Sequence, residues 1–248
     1  MSSTNAQELF KAGKLSEAIS ALNETLRNDP SNQPQRTFLF ELLCFSGDYD
    51  RAEKQLNILE QEGSKDSFLG TLLYKAALNA EKTRQEMFEK KTYPRQVVNG
   101  AAATVRGKLN GKEFQSLSDS DPRIGEKLEV FAAGDYMWIG YQDIAAFRME
   151  PPKRLRDLLW APAKLVTGPT FRSRDLGEIM LPAIAPGSWQ HPDDEVKLGR
   201  VSEWCEDETG EVAPFGQKNL LVDGEEVPFL EIRELEIYPL NTIPSLEP

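Results

Sequence analysis

A spacing of 34 residues near the start of the chain constrains its fold more than any other feature. Ala12-Gly13-Lys14-Leu15-Ser16-Glu17-Ala18 returns as Phe45-Ser46-Gly47-Asp48-Tyr49-Asp50-Arg51-Ala52, which aligns Gly13 with Gly47, Ala18 with Ala52 and Leu22 with Leu56. A period of this length carries one supersecondary unit per copy, and each unit needs a neighbour to cover its apolar face. Leu15, Ala18, Ile19, Leu22, Thr25 and Leu26 recur at i, i+3, i+4 and i+7, the pattern of a helix buried on one side. Asp29-Pro30 stops that helix, because proline lacks the N–H donor and disfavours helical geometry in the residue before it. The second copy has Ser64 in the proline position. A third helix is predicted from about Asp66 to Phe88, with Leu69, Leu72, Leu73, Ala76, Ala77 and Ala80 along its apolar face. Two repeats are too few to stand alone, so this helix is expected to cap them.

The period, the turn glycine and the small alanine resemble tetratricopeptide repeats, in which paired antiparallel helices pack closely and stack into a short solenoid. Such a repeat binds a partner helix along the surface formed by the first helix of each pair. On that pattern Gln7, Phe10, Lys11, Glu41, Cys44 and Phe45 face the groove. Core packing is the competing reading for Phe10 and Phe45.

From Arg95 helical periodicity gives way to short alternating runs separated by turn dipeptides. Three hairpins are predicted: Val105–Leu109 with Glu113–Leu117 across Asn110-Gly111, Leu128–Ala132 with Tyr136–Tyr141 across Gly134-Asp135, and Asn219–Val222 with Val227–Ile232 across Asp223-Gly224. An irregular stretch is expected from Pro182 to Pro192. The fold class is therefore α+β and multidomain: tetratricopeptide-like helices over residues 1–95, then a β-rich domain with short helices over residues 96–248, the boundary falling near 92–100. Within the second part, Glu150–Ala163 reads as a brief helix between Pro151-Pro152 and Pro162. Leu155, Leu158 and Leu159 would share one face, with Arg156 and Trp160 paired at i, i+4 beside Asp157. This element is either a docking surface or an anchor to the core, and Trp204 invites the same two readings.

The net charge of −11 argues against a nucleic-acid partner, which needs clustered Lys and Arg to displace counterions. Ser202–Glu236 holds 11 acidic groups against Lys218 and Arg233, whereas Glu150–Arg174 holds six basic groups against Glu150 and Asp157. Mutual neutralisation is the plainer reading of that asymmetry, recruitment of oppositely charged partners the sharper one. No signal peptide is visible at Met1–Phe10, and no window approaches the roughly 18 apolar residues of a membrane span, so a cytoplasmic protein is expected. Cys44 and Cys205 lie far apart without CxxC spacing and read as small buried hydrophobes.

Candidate chemistry is sparse. His191-Pro192-Asp193-Asp194-Glu195 combines the sole histidine with three carboxylates, yet consecutive loop residues cannot all aim at one ion and no second histidine completes a zinc site. A Cys205–His191 pair and an Asp193–Glu203 carboxylate pair are conceivable, but nothing in the sequence positions either. There is no Gly-x-Ser-x-Gly elbow, phosphate-binding loop or dinucleotide fingerprint. The expectation is no catalytic residue, no metal and no cofactor.

Several runs are similar to those of a known family. Asp121-Pro122-Arg123-Ile124-Gly125, the Glu-Pro-Pro-x-x-Leu-Arg-Asp-Leu-x-Trp-x-Pro-Ala run at 150–163, Pro186-Gly187-Ser188, Arg200–Trp204 and Gly216-Gln217-Lys218, together with the repeats before residue 90, resemble the ImpE (TagJ) accessory proteins of bacterial type VI secretion. Two departures stand out: Ser202 where the family pattern has threonine, and a less regular stretch over Arg172–Ala185. The resemblance implies a non-enzymatic cytoplasmic adaptor that binds the small subunit of the contractile sheath and links the sheath to its disassembly ATPase. Two readings compete with it: a metal-dependent or hydrolytic enzyme using the β-rich domain, and a general repeat scaffold unrelated to secretion.

Overall fold

The structure, a computed structural model, describes residues 2–62, 65–94, 104–169, 171, 176–206 and 210–239, with residues 2–4, 62 and 65–69 described by backbone alone. Five helices open the chain: α1 Ser2–Lys11, α2 Leu15–Asn28, α3 Gln33–Phe45, α4 Tyr49–Glu62 and α5 Lys65–Glu89. All six residues of the predicted α2 face are buried, and the helix ends at Asn28, immediately before Asp29-Pro30. The two copies of the repeat turn through the same hydrogen bonds. Lys14 N–H donates to the Leu9 carbonyl at 2.9 Å and Gly13 N–H to Phe10 at 3.0 Å; Asp48 donates to Leu43 at 3.0 Å and Gly47 to Cys44 at 3.3 Å. This closing pattern places a residue at positive φ just past the helix, and Gly13 and Gly47 supply it at +77° and +73°. Ser64 and Leu69, used in the sequence reading, lie outside the residues whose side chains are described.

The face predicted for α5 needs correcting. Ala77 and Ala80 are buried, but Leu72 and Leu73 are each 52% exposed. The buried stripe instead runs through Ala77, Leu78, Glu81, Arg84, Gln85 and Phe88. It is partly polar because it meets backbone groups of a later segment, which need donors and acceptors rather than hydrocarbon.

Thirteen described strands and one short helix follow: β1 Gly107–Leu109, β2 Lys112–Phe114, β3 Leu117–Asp119, β4 Lys127–Ala132, β5 Asp135–Gly140, β6 Ile144–Met149, β7 Trp160–Thr167, β8 Gly177–Pro182, α6 Asp194–Lys197, β9 Glu203–Glu206, β10 Val212–Phe215, β11 Asn219–Val222, β12 Glu225–Pro228 and β13 Glu234–Ile237. Eight form one sheet in the order β2-β1-β13-β6-β7-β8-β4-β5; β12-β11-β3 form a second sheet and β10-β9 a two-stranded ribbon. The three predicted turns each join a strand pair, β1–β2, β4–β5 and β11–β12, with Asn110 and Asp223 at positive φ, but the last strand is Glu225–Pro228 and Phe229–Glu231 forms a 3₁₀ turn where strand was expected to run on to Ile232.

The chain separates into two compact units. The first comprises Met1–Thr92, Ala133–Tyr136 and Ile184–Gln217, the second Tyr93–Ala132, Met137–Ala183 and Lys218–Pro248. Ile184–Gln217 belongs to the unit that holds the helices. The second unit is built on a core that includes Phe114, Leu128, Val130, Tyr141, Phe147, Leu165, Leu181, Phe229 and Leu235.

The Glu150–Ala163 run is not a helix. Leu155–Leu158 forms one 3₁₀ turn, and Trp160 begins β7, which pairs with β6 on one side and β8 on the other. The Asp157 carboxylate accepts the backbone N–H groups of Lys153 and Arg154, both at 2.9 Å, and so closes the turn after the prolines. From Ala161 the burial alternates, with Ala161, Ala163 and Leu165 inside and Pro162, Lys164 and Val166 outside. That is a period of two, the strand signature. Pro162 is tolerated because the β6 ladder ends at Ala163, leaving proline with one strand neighbour.

Candidate functional site

The side of the helical repeat expected to be open is covered by the chain itself. Residues 184–200 bond to α5 and to the first repeat turn and place Trp189 against Gly47 of the second. On α5, the Gln85 side-chain oxygen accepts from Gly187 N–H at 2.9 Å and from the Trp189 indole N–H at 3.3 Å, while Arg84 donates to the Ile184 carbonyl at 3.0 Å. At the first turn, Asp194 accepts from Ser16 N–H at 3.1 Å. The N-cap position of α2 is Lys14, whose side chain makes no capping bond, so Asp194 supplies from a distance the carboxylate that the orphan donors of a helix start require. Burial pushes the Asp194 carboxyl up, but the bonds from Ser16 and Lys197 outweigh it and hold the group below its ordinary range. Arg200 does the converse at the end of α1, donating to the Phe10 carbonyl at 2.6 Å and the Lys11 carbonyl at 3.2 Å with its guanidinium 4.9 Å from the Phe10 ring centroid.

The turn glycines complete the fit. A Cβ on Gly13 would collide with the Glu195 carboxylate, and one on Gly47 with the Trp189 indole. Each repeat turn therefore seats one side chain of the same later segment. In consequence, the six residues expected along an open groove divide into two sets. Gln7 and Lys11 are exposed and Phe10 half-buried, whereas Glu41, Cys44 and Phe45 are buried and form no open surface. Burial, then the Glu81 and Glu41 carboxylates, drives the Cys44 thiol well above its usual value, which leaves it an inert apolar group.

The acidic cluster after His191 is absorbed by the same packing. Asp193 caps α6 by accepting from Glu195 N–H at 2.9 Å, Asp194 caps α2, and Glu195 lies 3.4 Å from Arg200. Strand β9 brings Glu203 and Cys205 to His191, with one ligand atom from each within 4.8 Å of the others. The histidine is set for a different task. Its Nδ1 accepts from Asp193 N–H at 3.1 Å, so the ring proton sits on Nε2, 3.3 Å from Glu203 Oε2. A metal on Nε2 would need the proton moved to Nδ1, where it would face another N–H; ligating histidines instead donate from their second nitrogen.

In the 150–163 motif, Asp157 and Trp160 are buried and Leu155, Arg156 and Leu158 half-buried. Trp160, at 2% exposure, is among the largest enclosed side chains, whereas Trp204 on β9 is 47% exposed. Sequence reasoning missed the strongest electrostatic feature of the second unit. Lys218 is fully buried, its Nζ 2.6 Å from Glu129 and 2.8 Å from Asp119. Two neighbouring motif residues, Asp121 and Arg123, form an adjacent ion pair at 2.6 Å. Burial pushes Asp119 up to about 6, against the pull of Lys218 and with the help of Glu129. The one signal available in the sequence was Glu129, a carboxylate inside the apolar run Leu128–Ala132; Lys218 and Asp119 lie in polar runs that do not announce burial.

A helical repeat that holds a segment of its own chain, followed by a β-rich unit whose charged motif residues pair internally, defines an α+β protein built on tetratricopeptide-like helices. Comparison with known proteins agrees. Residues 9–73 match the tetratricopeptide repeat and residues 111–236 match the ImpE protein family. The chain is 31% identical over 268 residues, 95% of its own length and 92% of the relative's, to the type VI secretion system accessory component TagJ of Pseudomonas aeruginosa. Its fold is shared with the crystal structure of protein VPA1032 from Vibrio parahaemolyticus, at a TM-score of 0.81 and 20% identity over 94% of this chain and 97% of that one. The chain belongs to the ImpE family.

Proposed function

We propose that this protein is a non-enzymatic accessory component of a bacterial type VI secretion system, acting in the cytoplasm as an adaptor that binds the small sheath subunit and connects the sheath to its disassembly ATPase. The observation that carries the reading is similarity along nearly the whole chain to a relative named as an accessory component of that machine. The tetratricopeptide helices support a protein as the ligand. Among the described residues no helix is long and apolar enough to cross a membrane. The contact surface we assign on the repeat is the rim at Gln7, Phe10 and Lys11, since Glu41, Cys44 and Phe45 are buried; Trp204 offers a second exposed anchor.

A pull-down of the full chain against soluble sheath small subunit tests the proposal. Capture that weakens on Lys11→Glu or Trp204→Ala, with folding unchanged, is expected. No capture under conditions that keep the sheath protein soluble would overturn the partner assignment.

A further inference from the structure

The α2, α3 and α4 helices line an open cleft of about 580 Å³, within the size range of ligand pockets. Arg27, Arg36 and Arg51 line it, with Asn23, Gln55 and Glu24. Two of the three guanidinium groups are already held in place. Arg36 donates to the Gln55 side-chain oxygen at 2.7 Å and to the Pro30 carbonyl. Arg51 donates to Asp48 at 2.8 Å and to the Asn23 side-chain oxygen at 3.2 Å. Arg27 stands exposed at the last turn of α2 and is free to close over an occupant.

We propose that this cavity is a receptor for an acidic peptide segment of a partner protein. Three arginines against Glu24 and Asp48 leave a local positive excess on a chain whose net charge is −11. Exposed Arg27 can meet a carboxylate in two-point geometry, while Arg36 and Arg51, held by protein acceptors, contribute fixed positive charge beside it. The floor includes Leu26 and Leu39, both buried apolar residues, so the cavity has places for hydrocarbon as well as charge. That mixture suits a peptide bearing acidic and leucine-like side chains better than a bare phosphate, which favours a tight cradle of backbone N–H groups. The inference takes from the adaptor reading only that the ligand is a protein, and its test omits the sheath, so the two can fail separately.

The probe is acetyl-Glu-Leu-Glu-Glu-Leu-Glu-amide, titrated into the full ¹⁵N-labelled chain at low salt, with the all-glutamine counterpart and inorganic phosphate as the other arms. Saturable shifts confined to amides of α2, α3 and α4 are expected for the acidic peptide alone. The exposed substitution Arg27→Glu should weaken binding about tenfold or more while leaving the rest of the spectrum in place, and Arg27→Gln/Arg51→Gln should abolish it. Equal binding of the glutamine peptide, binding unchanged in Arg27→Glu, competition by phosphate at lower concentration than the peptide, or no binding in any arm would overturn the assignment.

Discussion

Replacing Lys218 by methionine tests the physical account of the second unit directly. The methionine side chain is close in length and fills the same enclosed space, so packing changes little while the one cation between Glu129 and Asp119 is lost. Both carboxylates are essentially without solvent, at 0% and 1% side-chain exposure, with Lys218 Nζ 2.6 Å from Glu129 and 2.8 Å from Asp119. Removing one partner of a buried ion pair costs roughly 3–5 kcal/mol, because the remaining charge stays desolvated. The penalty should depend on pH in a definite direction. Even with lysine present, burial raises Asp119 to about 6, so without it the carboxyls will take up protons more readily still. Lys218→Met should therefore be most destabilising near pH 8 and less so near pH 5, where protonated carboxyls no longer repel. Because the chain has two units, a single unfolding free energy is poorly defined, and hydrogen exchange of β4 and β11 peptides is the better measure. At pH 8 their protection should fall by about 10²–10³-fold, the equivalent of about 3–4 kcal/mol. Adding Asp119→Asn and Glu129→Gln to Lys218→Met should restore most of it. Protection within about fivefold of the parent at pH 8, or a loss that grows on acidification, would refute this reasoning.

Asp119→Asn alone should remove a pH dependence. The folded carboxyl binds its proton more tightly than the unfolded one, so its stabilising contribution is full below pH 3.8 and is lost as the pH rises to about 6; the variant should show a flatter stability profile across that window in urea titrations. Trp160→Ala should cost about 3–5 kcal/mol of second-unit stability, and a fluorescence-monitored unfolding curve displaced by under about 1 kcal/mol would contradict its placement in the core. Gly47→Ala combines a positive φ with a collision against Trp189, so about 1–2 kcal/mol from the backbone alone and faster exchange of residues 184–200 are expected; unchanged exchange there would show that the segment does not rest on the turn. Elemental analysis should find no stoichiometric zinc, and a full equivalent that disappears in His191→Ala would overturn the tautomer argument.

What was readable from the chain beforehand followed the range of the interactions involved. The α2 stripe, its stop at Asp29-Pro30 and the hairpins at Asn110-Gly111 and Asp223-Gly224 are local matters of periodicity and turn chemistry, and they appear as expected. The Glu150–Ala163 run was misread because its leucines satisfy helical spacing over one turn, while the alternation that marks β7 begins only at Ala161 and continues past the second proline. Leu72 and Leu73 looked like core for the same reason: apolarity does not say which side of a helix finds a neighbour. Contacts such as Asp194 with Ser16, or Lys218 with Asp119 and Glu129, join residues some 90 to 180 positions apart, and no local pattern encodes them.

The packing of residues 184–217 on the helices also sets an order of events during synthesis. The repeat leaves the ribosome first, but the segment that caps α2, binds the end of α1 and seats itself on both turns lies about 90 residues or more beyond the last helix. At about 5–20 residues per second, the helices wait on the order of 5–25 seconds with the turn glycines and the start of α2 uncovered. The helices are thus made well before they are finished, and their unfilled turns and uncapped ends are open to a chaperone or to the wrong neighbour until the later segment arrives.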